Sequence, residues 1–141
     1  MIVDLSNYKQ HFLIGLIATI LISSILILLG YLPLTILNII ILLAISFIYS
    51  LLPDIDIGTS MIRKVFLLFF VGFIFINGLN MIGYILGLIV ILIQFISHRG
   101  IMHSIIMGIL LSGMLYFCFG SWTFPLIALV NFISHLILDR R

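Results

Sequence analysis

Between Val65 and Ser97 the chain runs for 33 residues without a charged side chain. A stretch that apolar is stable only out of water, inside a protein or in lipid. The rest of the chain decides between the two. Of its 141 residues 65% are hydrophobic and 7% charged, against about 25% charged in an average soluble domain. The mean hydropathy is +1.49. A soluble globular domain, a disordered chain and a disulfide-built secreted domain are excluded. The expectation is an all-α, polytopic membrane helix bundle, one membrane-embedded domain over residues 1–141.

A helical span needs about 20 apolar residues. Phe12–Gly30 supplies one, too long for the apolar core of a signal peptide and followed by no cleavage motif, so it reads as a retained span. Leu34–Leu52 supplies a second, opened near Pro33. The 33-residue run would measure about 50 Å as one helix, and Asn77-Gly78-Leu79-Asn80 is the natural turn within it. It therefore divides into Met61–Asn77 and Asn80–Ser97. Ile101–Phe119 and Thr123–Leu138 complete a set of about six spans. Small residues at four-residue spacing, Ser104, Gly108 and Ser112, read as close helix packing. The one cysteine, Cys118, reads as a buried small hydrophobe.

With six spans all six Lys and Arg fall on one face, together with both termini; fusing the long run into one helix would scatter them. Cations mark the cytoplasmic side, so both termini are expected there. Tyr31, Tyr116 and Trp122 fit an aromatic belt at the other face. No Lys/Arg run exceeds two residues, so nucleic acid is not an expected partner.

All four aspartates and all four histidines share the cationic face. His11 starts the first span, Asp54 and Asp56 follow the second, His98 and His103 flank Gly100, and His135 and Asp139 end the last. His135 and Asp139 are i, i+4 and share a helix face, with Asn131 one turn earlier. Asp54 and Asp56 suit an extended turn with both carboxylates on one side. Imidazoles with carboxylates suit Zn²⁺, Mn²⁺ or Fe²⁺. Seven ligands exceed what one zinc needs and suit two ions with open positions; one ion with several of these residues behind its ligands is the alternative. Ser104 reads as a packing or capping hydroxyl.

The motifs Leu52-Pro53-Asp54-Ile55-Asp56, His98-Arg99-Gly100-Ile101-Met102-His103-Ser104 and Ser134-His135-Leu136-Ile137-Leu138-Asp139, with His11 four residues before Gly15, resemble the YdjM-like family. These are inner-membrane proteins for which a metal-dependent hydrolase role has been proposed, linked in some bacteria to LexA control. The resemblance spans nearly the whole chain. It implies that His11, Asp54, Asp56, His98, His103, His135 and Asp139 form the metal site, and it implies a phospholipase-like activity. Family members often carry a histidine soon after the second aspartate, where this chain has Ile57.

The expected function is cleavage of a phosphoester at the cytoplasmic headgroup level, with a membrane lipid as substrate. Arg99 is the candidate for gripping a phosphate oxygen, and Asp56 for bridging two ions or orienting water. Three rival classes remain. A transporter keeps ionisable groups near the midplane, where this chain places only amides and hydroxyls such as Asn38, Ser46 and Asn131. A metal-independent lipid phosphatase shares the His135-x-x-x-Asp139 spacing but needs a Pro-Ser-Gly-His stretch that is missing. A structural membrane protein would use the metal only as a staple.

Overall fold

The computed structural model describes residues 5–56, 60–78 and 101–139. Among them are five α-helices and no strand: α1 (Leu5–Leu28), α2 (Ile36–Leu51), α3 (Met61–Asn77), α4 (Ile105–Phe119) and α5 (Thr123–Asp139). Short 3-10 turns at Leu52–Asp56 and Ile101–His103 lie between them in sequence. The span expected at Asn80–Ser97 lies outside the described residues, as do His98 and Arg99.

Polar residues at the helix ends satisfy backbone groups that the apolar runs cannot. Thr35 caps α2 by accepting from Asn38 N, Ser60 caps α3 by accepting from Arg63 N, and Ser104 caps α4 by accepting from Met107 N. Gly78 and Gly120 end α3 and α4 at φ 69° and 61°, a region that favours glycine. The Ser104 cap has a consequence for the site. It starts α4 at Ile105, so His103 stands on the 3-10 turn before the helix.

α5 is the hub: it packs against α1, α2 and α4. Its inner face, Phe124, Ile127, Ala128, Asn131, Phe132, His135 and Leu136, is buried. Two glycines permit this closeness. A Cβ on Gly108 of α4 would stand 2.7 Å from the Phe132 ring, and one on Gly15 of α1 would stand 2.5 Å from Asn131 Oδ1 and 2.7 Å from Ser50 Cβ. α3 packs chiefly against the 3-10 turn after α2.

Among the described residues, two helical segments, Tyr8–Leu28 and Ile36–Ile55, are long and apolar enough to cross a membrane. The outer surface fits lipid: Leu28, Phe75 and Phe117 are all more than four-fifths exposed. Cys118 is on that outer surface too, not buried as the sequence suggested. In a bundle surrounded by lipid, an apolar run says nothing about which of its faces points inward.

Candidate metal centre

The site is built where α1, α5, the turn after α2 and the turn before α4 meet. Pro53 follows α2 without breaking its winding: Leu52 keeps helical angles, and the chain tightens into a 3-10 turn through Asp56. The extended turn expected for Asp54 and Asp56 is therefore not formed, and the alternation of an extended strand does not relate the two. Asp54 lies inside this turn, pointed at the last two turns of α5.

One ligand atom each from Asp54, His103, His135 and Asp139 lies within 4.8 Å of all the others. His135 Nε2 is 3.3 Å from Asp54 Oδ1 and 3.9 Å from Asp139 Oδ2. His103 Nε2 is 3.1 Å from Asp139 Oδ2, at hydrogen-bonding distance, and 3.7 Å from Asp54 Oδ1. Among the described residues, each ion-pair partner of Asp54 and Asp139 is a histidine.

His135 has its tautomer fixed. Its Nδ1 is 2.7 Å from the carbonyl oxygen of Ser50. A carbonyl only accepts, so Nδ1 must carry the proton and donate it. In the neutral ring the lone pair is then on Nε2, a fully buried atom that has no hydrogen-bond partner among the described residues and faces two carboxylates. Lone pair against anionic oxygen is repulsive, and either a proton on Nε2 or a metal cation between them removes the repulsion. A backbone carbonyl holding the far nitrogen is also the usual support of a metal-bound imidazole. The donor set of two imidazoles and two carboxylates suits zinc, manganese or iron.

His11 joins from α1. It is buried at 5% exposure, stacked on the His135 ring at 3.9 Å between centroids and 20° between planes. Its Nε2 is 3.6 Å from Asp139 Oδ1, the oxygen not facing His103. It is outside the tight four-residue group, and its Nδ1 has no hydrogen-bond partner among the described residues. The sequence placed His11 at the start of its span, but α1 begins at Leu5, and His11 is inside the helix.

Of the seven ligand candidates, then, four converge tightly and His11 lies against them. Asp56 ends the 3-10 turn beside Asp54, and His98 is outside the described residues with Arg99. One turn before His135, Asn131 is fully buried. Its Nδ2 donates to Thr19 Oγ1 at 2.7 Å and to Ile127 O at 2.8 Å, and its Oδ1 accepts from Ser46 Oγ at 3.3 Å. Asn131 is on the face that its spacing to His135 assigns it, whereas nothing in the sequence signals Thr19, its partner from α1.

Fold and site together define a helical, membrane-type protein with a buried His/Asp group that could hold a metal ion. The YdjM inner membrane protein family matches residues 7–140, and the chain belongs to that family. No curated protein and no solved structure gives a significant match.

Proposed function

We propose that this protein is a metal-dependent hydrolase embedded in the inner membrane, cleaving a phosphoester of a membrane lipid at the cytoplasmic headgroup level. One observation carries the reading: Asp54, His103, His135 and Asp139 bring ligand atoms within 4.8 Å of one another, with His135 held by Ser50 so that Nε2 is the donor atom. These four residues would hold the ion, with zinc the first choice and manganese or iron also suited to the donors. When bound, the ion supplies Lewis acidity to a phosphoryl oxygen and to water.

The chain's own residues do the rest. Ser50 O keeps the His135 proton on Nδ1, away from the ligand position. His11 covers the His135 ring and reaches Asp139; His11, Asp56 and His98 are the residues that would be left for a second ion. Arg99 would grip a phosphate oxygen through its planar fork, and Asp56 would orient the attacking water. Six spans with both termini cytoplasmic put all Lys and Arg on the same side as this group. A site at that depth in a chain with so little polar surface meets lipid headgroups first.

The test is hydrolysis by the full chain in lipid nanodiscs, with phosphate or phosphorylated headgroup release as readout. Expected is activity lost on chelation, restored by one divalent metal, and absent in Asp139→Ala. Activity that resists chelation would contradict the metal mechanism and favour a metal-independent lipid phosphatase. Proteoliposome flux that needs Asp54 or His135, without hydrolysis, would replace the reading with transport.

A further inference from the structure

A second buried polar cluster is one helical turn below the His/Asp group, and its side-chain hydrogen bonds run to Thr19, Ile127 and Ser46, not to the four ligands. Asn131 is at its centre. Ile127 O can only accept, so the amide nitrogen must face it, and the amide orientation is fixed. The second N–H goes to Thr19 on α1 and the oxygen receives Ser46 on α2. One side chain thus ties three helices together. Gly15, with no Cβ, lets α1 come against the same amide. Four residues on, about 6 Å along α5, His135 makes the next tie to α2 through Ser50 O.

A helix with an apolar surface can slide or turn against its neighbours in lipid at little cost, because lipid is as apolar as the neighbour. Directional bonds remove that freedom. A shift of α5 against α2 would stretch the Asn131–Ser46 and His135–Ser50 contacts together, and would carry His135 Nε2 and Asp139 away from the Asp54 carboxylate.

We infer that Asn131 is a positioning residue for the metal site: by joining Thr19 and Ser46 it sets the register of α5 against α1 and α2, and so sets where His135 and Asp139 stand relative to Asp54. This role rests on the metal reading above. It adds that ligand geometry is controlled from the bundle's interior by a residue that does not touch the metal.

The test uses Co²⁺, whose visible bands report coordination, titrated into detergent-solubilised, metal-stripped full chain. Asn131→Leu should weaken Co²⁺ binding by about tenfold and change the band pattern, because the ligands lose their register. Should that variant fail to fold, Thr19→Val removes the α1 arm at nearly constant shape and should weaken binding by about threefold to tenfold. Thr19→Ser keeps the hydroxyl and should restore both affinity and spectrum. A merely structural role would lower the melting temperature of the stripped protein and leave affinity and bands alone. That result, or a Thr19→Val variant indistinguishable from wild type in Co²⁺ binding, overturns the inference while the metal reading stands. Wild-type protein that binds no Co²⁺ overturns both.

Discussion

The two buried polar clusters of this bundle are one helical turn apart and are built on opposite rules. Around Asn131 each amide hydrogen has an acceptor and the amide oxygen has a donor. At the ligand end, among the described residues, His135 Nε2 and His11 Nδ1 are buried without a hydrogen bond, and two carboxylates stand against imidazoles. A satisfied buried network holds helices together. A buried donor or acceptor left unmatched costs on the order of 1–3 kcal/mol. Such a cost concentrated at one end, beside a well-satisfied network, is what the proposed metal ion would relieve.

That contrast can be broken most decisively at the ligands. His135→Ala or Asp139→Ala should reduce metal affinity by more than about 100-fold, beyond the 10–100-fold typical of an outer-shell partner, with helix content by circular dichroism unchanged. If the protein loses its helical fold instead, the ligand end is structural and the contrast fails.

Next in size is the interior network. Asn131→Leu in metal-free protein should cost about 1–2 kcal/mol by thermal or denaturant unfolding, since Thr19 and Ser46 lose their partner. His11→Phe should act in the opposite direction. Phenylalanine keeps a ring against His135 and removes the unmatched Nδ1, so the metal-free protein should gain about 1 kcal/mol. A loss of stability there would place His11 with the satisfied network. The smallest effect is expected for Ser46→Ala, about 0.5 kcal/mol, because it removes one long hydrogen bond.

The two clusters were also unequally visible in the sequence. Among the described residues helix positions were legible, because long apolar runs punctuated by Asn-Gly, Pro and Gly have few other solutions; Met61–Asn77 is observed with the expected limits. The titratable residues stood out because they are so rare in this chain. Their local geometry was harder. The cap made by Ser104 moved His103 off its helix, the helical continuation through Pro53 replaced an extended turn, and the polar start of α1 put His11 inside the helix. Each depends on how a helix ends, where a single hydrogen bond decides and hydropathy is silent. The interior network was the least legible. Thr19 and Asn131 are 112 residues apart, and a hydroxyl on an apolar helix gives no hint of its partner. The tie from His135 to Ser50 is to a backbone carbonyl, which no side-chain pattern can signal. Cys118 failed for a related reason: in lipid, the outside of a helix is as apolar as the inside.

On the proposed reading, the unsatisfied end of the bundle is a metal centre. Elemental analysis of protein purified from membranes without added metal, combined with X-ray absorption at the edge of the metal found, tests it directly. The expected result is at least about one Zn, Mn or Fe per chain, with nitrogen and oxygen neighbours at about 2.0–2.2 Å and the signal lost in His135→Ala. Folded wild-type protein with no transition metal, or metal retained undiminished in that variant, would contradict it.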